Sequence, residues 1–439
     1  MKNRPFPSSP GVSRRQFFKR MGATSAAVSL FPTALMQGQP LQGAAFPASF
    51  QEAPAVVSPE ILADGRVTFR LLAPEAGTVR LGGDFFLGRD LPMTRDAQGI
   101  WSVTTGPVES GFYDYHYVVN GIRTLDPLNV YTTRDGSRYS SSLRVPGAIG
   151  DDYQVNDVPH GTVHQVWFPS PSLELEGRRM FVYTPAGYET GTDRYPVFYL
   201  LHGGGGDEDA WTNMGRAPQI LDNLIAKGKA KPMIVVMTNG NFNQKAAQDM
   251  LPLPPNTRGP QGPSTEFRRH ILEFPESLLK DVIPFVDKAY RTRADREHRA
   301  ISGLSMGGAQ TLYAAFNHLD AFAWVGEFSA GLPLLPGVAV PIPRPANADV
   351  LRGPDITNTI DPDKFLALMP QMNASANDKL KLLYVSIGLM DGLITAHGVF
   401  KDILKKQGLK YELFEAPEWG HEWGFWRLTL RDFVPRLFR

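Results

Sequence analysis

Two runs of alternating residues in the first third of the chain have the period of β-strands. In residues 67–71 and again in residues 113–119, apolar side chains occupy every second position. This alternation is typical of strands that bury one face of a sheet. Asn120 and Gly121 then supply the positive φ angles of a tight hairpin turn. The pattern predicts a small β-sandwich over residues 53–148, followed by a linker at residues 149–160.

From residue 161 to residue 439 the apolar segments change character. The later ones lack polar alternation, as expected for strands that are covered on both faces. Amphipathic helical patterns separate most of them, for example at residues 278–289 and 309–316. Strands that alternate with helices predict an α/β domain with an eight-stranded, mostly parallel sheet. The predicted strands are residues 163–168, 179–183, 197–201, 234–237, 300–302, 324–328, 382–387 and 411–414.

The first 45 residues have the features of an export signal. A twin-arginine pattern occupies residues 13–19, and a weakly apolar stretch follows at residues 21–36. These features resemble a bacterial Tat signal, so we predict a leader at residues 1–45 and a periplasmic or secreted protein. The alternatives are an uncleaved membrane anchor and a disordered basic tail. Against the anchor, Pro32 interrupts an apolar run that is too short to span a bilayer comfortably.

Charge and cysteine content exclude several classes of function. The chain has 45 Lys and Arg against 44 Asp and Glu, and the first 45 residues hold six of the basic residues and no acid. Removal of the leader changes the formal charge from +1 to −5, which gives no basis for a nucleic-acid partner. The absence of cysteine rules out disulfides, thiolate metal sites, cysteine nucleophiles and a lipid-modified N-terminal cysteine. We therefore predict a product without a membrane anchor.

The sequence Gly-Leu-Ser-Met-Gly at residues 303–307 has the G-x-S-x-G pattern of a serine nucleophile. A predicted strand precedes it and a predicted helix follows it, which is the context that pushes the serine hydroxyl above the edge of a sheet. A purely structural glycine-rich turn is the alternative. A serine hydroxyl is a weak nucleophile at neutral pH, so Ser305 needs a base and an acid that orients the base.

The order of residues along the chain indicates the base and the acid. In this fold class they follow the serine in the order Asp, His. After Ser305 the chain contains His318, His397 and His421, and only His421 falls in the loop directly after the eighth predicted strand. Asp391 follows the seventh predicted strand. We predict that His421 is the general base and that Asp391 holds its imidazole in the correct tautomer.

A run of glycines predicts the second half of the site. Residues 203–206 are all glycine and follow the third predicted strand, so backbone amides there can turn inward. The amides of Gly204 and Met306 are the predicted oxyanion hole. A phosphate-binding loop is the alternative, but the Lys and Ser or Thr of that motif are missing. The histidines lack the spacing of a metal site, so neither a metal nor a cofactor is predicted.

The motifs around these residues resemble those of one enzyme family. The segments are HGTVHQVWFPSPSLELEGRRMFVYTPAGYE, YPVFYLLHGGGGDEDAW, MIVVMTNGN, RAISGLSMGGAQTL, IGLMDGL and APEWGHEWGFWR. They are similar to carbohydrate esterase family one, the feruloyl and acetylxylan esterases of the esterase D group, over about residues 158–439. The resemblance implies an α/β-hydrolase fold with Ser305 as nucleophile, Asp391 as acid and His421 as base.

The predicted sandwich has a resemblance of its own. The segments RVTFRLLAPEAGTVRLGGDF, GIWSVTTGPVESGFYDYHYVVNG and TLDPLNVY are similar to the immunoglobulin-like modules of carbohydrate-binding module family 48. The resemblance implies an immunoglobulin-like sandwich that contacts glycan. Trp101, Tyr113 and Tyr131 are candidates for stacking on sugar rings, and packing in the core of the sandwich is the alternative.

Together these features predict an exported serine carboxylic-ester hydrolase. The combination resembles bacterial feruloyl esterases, so we predict release of hydroxycinnamate from feruloylated arabinoxylan, with xylan degradation as the setting. The alternatives are an acetylxylan esterase, an enterochelin esterase-like hydrolase that uses the same triad, and a catalytically silent glycan-binding protein. The predicted partner is therefore a feruloylated or acetylated plant polysaccharide or oligosaccharide, and the oligomeric state stays open.

Several further positions are candidates for contact with the acyl group. Trp211 and Trp419 lie near the ends of predicted strands, where a flat indole ring could clamp a phenolic acid. Residues 251–265 and 331–363 are rich in Pro or Gly and form long insertions that could cover the active-site end of the sheet. A passive surface loop is the alternative for each insertion.

Overall fold

The computed structural model describes residues 56–84, 90–244, 246, 265–344, 346–353 and 357–439. The predicted leader at residues 1–45 and nearly all of the insertion at 251–265 lie outside these residues. The part from Val56 to Arg439 forms one compact unit. Within the described residues, no helix combines the length and the apolar character that crossing a membrane requires.

Two antiparallel sheets build the N-terminal part of this unit. One sheet has the strand order β1-β2-β6-β5, and the other has the order β4-β3-β7-β10-β9 with β8 beside β7. The strands are Glu60–Ile61 (β1), Arg66–Leu72 (β2), Val79–Gly83 (β3), Leu91–Pro92 (β4), Thr94–Arg95 (β5), Ile100–Pro107 (β6), Gly111–Val119 (β7), Ile122–Thr124 (β8), Thr132–Asp135 (β9) and Arg138–Val145 (β10).

The two sheets share a core that follows the alternation of the sequence. Phe69 from one sheet meets Tyr115 from the other, with ring centroids 4.8 Å apart, and both side chains are fully buried. The hydroxyl groups of Tyr115 and Tyr117 donate to the buried carboxylate of Asp126 at 2.8 and 3.2 Å. Both alternating segments of the sequence therefore form strands with one face in this core, and the immunoglobulin-like relationship stays a prediction.

The C-terminal part contains an eight-stranded mixed sheet. Its order is β11-β12-β14-β13-β15-β16-β19-β20, in which β11 and β12 run antiparallel to their neighbours and the rest are parallel. Each predicted strand overlaps one of these eight, so the prediction of an eight-stranded, mostly parallel sheet is confirmed. The strands are Thr162–Ser170 (β11), Leu175–Thr184 (β12), Val197–Leu201 (β13), Ile234–Thr238 (β14), Arg299–Leu304 (β15), Trp324–Phe328 (β16), Leu382–Gly388 (β19) and Glu412–Ala416 (β20). A small hairpin, Ala339–Pro341 (β17) and Asn358–Ile360 (β18), lies in the 331–363 insertion.

Helices cover both faces of this sheet. The central strands β13 to β16 and β19 are buried along their whole length, because their alternate side chains enter two separate hydrophobic cores. Helices α1, α2 and α8 pack on one face and α3, α4, α5 and α7 on the other. The helices are Ala210–Asn213 (α1), Ala217–Ala226 (α2), Thr265–Ser277 (α3), Ile283–Ala289 (α4), Met306–Asn317 (α5), Pro362–Leu368 (α6), Ile394–Lys406 (α7) and Trp423–Phe433 (α8).

The segment that joins the two parts is packed between them. Gly150–Tyr153 forms a single helical turn within the predicted linker, and the side chain of Asp152 is almost completely buried. Its carboxylate accepts hydrogen bonds from Lys227 and Arg431. Tyr153 enters one of the hydrophobic cores of the large sheet. The connection is thus tied to helices of the C-terminal part by charge and by apolar contact.

Candidate active site

Ser305 occupies a sharp turn between β15 and α5. Its φ is 50° and its ψ is −113°, a conformation that L side chains seldom adopt and that costs about 1–3 kcal/mol. Its amide donates to the carbonyl oxygen of Phe328 at 3.0 Å, and its own carbonyl oxygen accepts from the amides of Gly331 at 2.7 Å and Ala309 at 3.1 Å. These three bonds fix the turn and project the hydroxyl from the carboxyl edge of the sheet.

Close backbone packing explains why glycine follows the serine motif. A Cβ atom built on Gly307 would lie 2.5 Å from the carbonyl oxygen of His202, a separation that real Cβ atoms do not tolerate. His202 directly precedes the glycine run that follows β13. The turn that carries Ser305 therefore packs directly on the loop that is predicted to supply the oxyanion hole.

The predicted acid, base and nucleophile meet in one hydrogen-bonded chain. The Nε2 atom of His421 lies 2.9 Å from Oγ of Ser305, and its Nδ1 atom lies 2.9 Å from Oδ2 of Asp391. Asp391 is fully buried, and its other oxygen accepts from the amide of Leu393 at 2.8 Å. Because a carboxylate accepts at Nδ1, the proton belongs on Nδ1, which leaves Nε2 to accept from the serine hydroxyl.

The other two histidines after Ser305 lie elsewhere. His318 caps the end of α5 and its Nε2 atom lies 3.5 Å from Glu276 near the surface. His397 in α7 is fully buried, with Nε2 3.3 Å from Oε2 of Glu327. Burial lowers the pKa of His397, but the charge and hydrogen bond of Glu327 and the charge of Asp391 outweigh it, so the pKa is raised overall.

Glu327 is a buried acid that the sequence analysis missed. Its side chain is fully buried and also accepts from the amides of Ala330 at 2.8 Å and Ser386 at 3.2 Å. Glu327 thereby shapes the turn after β16. The backbone of this turn hydrogen-bonds to the backbone of Ser305. A charged residue inside the apolar strand WVGEF was the available signal.

The predicted oxyanion loop is held by a histidine with a defined tautomer. The amide of Gly240 donates to Nε2 of the buried His202 at 2.8 Å. Nδ1 must then carry the proton, and it donates to the carbonyl oxygen of Gly203 at 2.8 Å. Met306 is the first residue of α5, where an amide has no partner inside the helix, and Gly204 lies in the loop that His202 holds. The role of both amides as an oxyanion hole stays a prediction.

A hairpin from the N-terminal sheets reaches this loop. Gly136, at the turn between β9 and β10, has a φ of 57°, and a Cβ atom built there would collide with the carbonyl oxygen of Gly205. The preceding residue, Asp135, accepts from Nε1 of Trp423 at 2.9 Å. Burial raises the pKa of Asp135, although the indole donor opposes this shift. The hairpin thus contacts both the glycine loop and the first turn of α8.

An ion-pair cluster fastens the same hairpin. Arg134 donates to Asp207 at 2.6 Å and to Asp209 at 3.1 Å, and its amide donates to the side chain of Asn213 at 2.6 Å. Asp207 is almost completely buried and follows the glycine run by one residue. The N-terminal sheets therefore anchor the segment that directly follows the predicted oxyanion hole.

We expect Trp423→Phe to lower the free energy of unfolding by about 1–3 kcal/mol, because the partly buried carboxylate of Asp135 loses a hydrogen-bond donor. Urea unfolding followed by circular dichroism measures the change. Trp167→Phe is the matched control, since Trp167 is largely exposed and its replacement is expected to cost less than about 0.5 kcal/mol. An equal loss in both variants would contradict the importance of this hydrogen bond.

The two tryptophans predicted to contact substrate lie in different surroundings. Trp211 is 1% exposed, its Nε1 donates to the carbonyl oxygen of Leu201 at 2.9 Å, and its ring packs edge-on against Trp423. Contact with an acyl group would need these neighbours to move. Trp419 is partly exposed beside α8, and its carbonyl oxygen accepts from the amide of Met390 at 2.9 Å. The substrate contacts of Trp211 and Trp419 both stay predictions.

Metal ligands do not cluster in the described ranges. Among those residues, no three His, Asp or Glu side chains converge in a way that could hold an ion. Separately, the hydrogen-bonded chain described above permits proton transfer between Ser305 and His421, with the imidazolium held by Asp391.

Comparison with known proteins identifies the family. The family model described as "Putative esterase" matches residues 170–437. The chain belongs to the Esterase family. Its resemblance to esterases, predicted from the motifs, is confirmed, whereas the family 48-like character of the N-terminal part stays a prediction.

Two relatives of this Esterase-family chain are xylanases. The endo-1,4-beta-xylanase/feruloyl esterase of Xylanibacter ruminicola is 34% identical over 389 residues, which covers 87% of this chain and 46% of the relative. The endo-1,4-beta-xylanase Y of Acetivibrio thermocellus is 34% identical over 154 residues, which covers 33% of this chain and 12% of the relative. The chain thus spans less than half of the length of either relative.

A solved structure shows the same fold. The enterochelin esterase of Shigella flexneri is 16% identical, with a TM-score of 0.59 over 87% of this chain and 95% of that protein. At this identity the likeness concerns the fold alone. It confirms the predicted α/β-hydrolase fold of the Esterase-family chain.

Proposed function

We propose that this protein is a serine carboxylic-ester hydrolase that works through an acyl-enzyme. The observation that carries the proposal is the chain of two 2.9 Å contacts that joins Ser305, His421 and Asp391. Membership of the Esterase family supports the reaction class. The tautomer that Asp391 imposes on His421 is the one that the general base requires.

The proposed mechanism follows from the positions of these groups. His421 takes the proton of Ser305 at Nε2 while Oγ attacks the ester carbonyl carbon. The amides of Gly204 and Met306 donate to the carbonyl oxygen as it becomes negative, an effect typically worth about 3–4 kcal/mol for one donor. His421 then gives its proton to the leaving alcohol, and the acyl group stays on Ser305. A water molecule, deprotonated by His421, then attacks the acyl-enzyme. His421 returns that proton to Oγ of Ser305 as the bond between the acyl carbon and Oγ breaks and the acid leaves.

We further propose that the substrate is a feruloylated arabinoxylan or an oligosaccharide derived from it. The identity to a xylanase/feruloyl esterase over 87% of this chain supports this choice. The N-terminal sheets are proposed to be a glycan-contacting, immunoglobulin-like module. Of the three aromatic candidates there, Tyr131 is 73% exposed and can offer its ring, whereas Trp101 and Tyr113 donate hydrogen bonds to neighbouring backbone.

Export through the Tat pathway, with a periplasmic or secreted location, is proposed from the sequence pattern of residues 13–36. A folded chain that reaches plant polysaccharide outside the cytoplasm fits the proposed substrate. Expression of the full chain, followed by fractionation, tests the proposal, and replacement of both arginines of the pattern by lysine is the control.

A substrate panel tests the proposed activity. Purified protein is incubated with methyl ferulate, feruloylated arabinoxylan oligosaccharide, acetylated xylan and a ferric catecholate ester, and the released acids are quantified. We expect the highest kcat/KM for the feruloyl esters and covalent labelling of Ser305 by a fluorophosphonate probe. Tenfold faster turnover of acetylated xylan or of the catecholate ester would overturn the proposed substrate. Absence of labelling together with absence of turnover would instead support a silent glycan-binding protein.

A further inference from the structure

One residue of the 331–363 insertion joins the loop of the proposed acid to the loop of the proposed base through its backbone. The amide of Arg352 donates to the carbonyl oxygen of Met390 at 2.7 Å, and its carbonyl oxygen accepts from the amide of Gly392 at 2.9 Å. These two bonds hold the residues on either side of Asp391. The same carbonyl oxygen accepts from the amide of His421 at 3.3 Å.

The side chain of Arg352 makes a second set of contacts around the base. One guanidinium nitrogen donates to Oε2 of Glu422 at 3.0 Å, and the other donates to the carbonyl oxygen of Glu418 at 2.6 Å. The second oxygen of Glu422 accepts from the amide of Gly420 at 3.0 Å. The guanidinium therefore ties the segment before His421 to the residue directly after it.

The charges at this point are mostly enclosed. The side chains of Arg352 and Glu422 are only 15% and 16% exposed. Burial raises the pKa of Glu422, and the negative charge of Asp391 adds to this shift. The amide of Gly420 and the positive charges of Arg352 and Arg427 act in the opposite direction. In these surroundings a hydrogen-bonded pair is held in one geometry far more firmly than an exposed pair.

We propose that Arg352 is a positioning residue that sets the distance between the acid and the base. The inference rests on the proposed function, since it concerns the alignment of Asp391 with His421. These residues lie on separate loops after β19 and β20. The loops bond to each other directly from the amide of Met390 to the carbonyl oxygen of Trp419 at 2.9 Å, and Arg352 adds hydrogen bonds to the residues on either side of Asp391 and to His421 itself. Catalytic groups need to be held within about 0.5 Å of their productive positions, so a tie between the loops matters for kcat.

The test is a set of variants measured with methyl ferulate and nitrophenyl acetate. Arg352→Ala keeps the backbone bonds and removes the guanidinium, and we expect kcat to fall about 10- to 100-fold with KM within about twofold. Arg352→Lys, which can reach Glu422 or Glu418 but not both, is expected to lie between Ala and the parent. Arg344→Ala is the matched control, because the pair of Arg344 with Asp349 in the same insertion is exposed, and its kcat is expected to equal that of the parent.

A double variant separates positioning from simple stability. Arg352→Ala combined with Glu422→Gln removes the carboxylate that the single variant leaves without its partner. We expect the thermal midpoint to recover and kcat to stay low. If kcat recovers together with the thermal midpoint, the loss came from an unpaired charge and the proposal is wrong.

Two further outcomes would also overturn it. The first is a kcat of Arg352→Ala that equals that of the parent. The second applies if Arg352→Ala does not fold, and it is a kcat of Arg352→Lys that equals that of the parent. Ser305→Ala, run in parallel, keeps the two proposals apart. If Ser305→Ala retains full activity, the proposed function itself fails. If Ser305→Ala is inactive while Arg352→Ala is parent-like, only the positioning role fails.

Discussion

Replacement of Ser305 by alanine is expected to lower kcat for methyl ferulate by about four orders of magnitude or more, because the attacking oxygen is lost and no acyl-enzyme can form. The effect should concern chemistry alone. The backbone bonds of Ser305 with Phe328, Ala309 and Gly331 do not involve the side chain and remain in the variant. Chromatographic measurement of released ferulate over hours gives the necessary sensitivity.

The chain offers a matched control for this variant. Ser329 also has a positive φ, 47° against 50° for Ser305, and lies in the adjacent turn. Its hydroxyl is buried and has no hydrogen-bond partner among the described residues. Ser329→Ala should therefore leave kcat within about twofold of the parent. Similar losses in both variants would mean that the turn tolerates no alanine and would contradict a nucleophilic role specific to Ser305.

The second large effect is expected for stability. Glu327→Ala should lower the free energy of unfolding by about 3–5 kcal/mol, because it leaves His397 buried without its counter-charge. The amides of Ala330 and Ser386 lose their acceptor as well. Urea unfolding measures the change. Glu415→Ala is the control, since its pair with Lys401 is partly exposed and is expected to contribute less than about 1 kcal/mol.

The loss in Glu327→Ala should depend on pH in a defined direction. The pKa of His397 is raised in the folded protein, so the folded state holds a proton that the unfolded state releases above its own pKa of about 6.5. This stabilising contribution is complete below that value and is lost as the pH rises through the raised pKa. The difference between parent and variant should therefore shrink on the alkaline side. A difference that grows with pH would contradict a protonated His397.

The strands and the candidate triad could be predicted because their signals are local. The strand at 197–201 is a continuous apolar run, which is what burial on both faces requires. His421 could be separated from His318 and His397 by its place directly after the last strand. The order of residues along the chain predicted that Asp391 lies near Ser305 and His421, since the carboxyl ends of parallel strands meet at one edge of a sheet.

The supporting contacts could not be predicted, because they join residues far apart in the chain. Arg134 and Asp207 are 73 positions apart, and Arg352 and Glu422 are 70 positions apart. Surface arginines and acids are common, so no local pattern distinguishes such partners. The Pro-rich insertion at 331–363 was recognised as an excursion near the site, but nothing in its composition indicated which residue would touch the loops of Asp391 and His421.

The contact between Gly136 and the carbonyl oxygen of Gly205 also constrains how this sequence can change. Any side chain at position 136 would force the glycine loop to shift, and any reshaping of that loop would have to be matched by the hairpin. The two stretches are therefore expected to vary together among relatives, although about 70 residues separate them. An exchange of N-terminal regions between two such esterases would succeed only when the hairpin and the loop are inherited from the same parent.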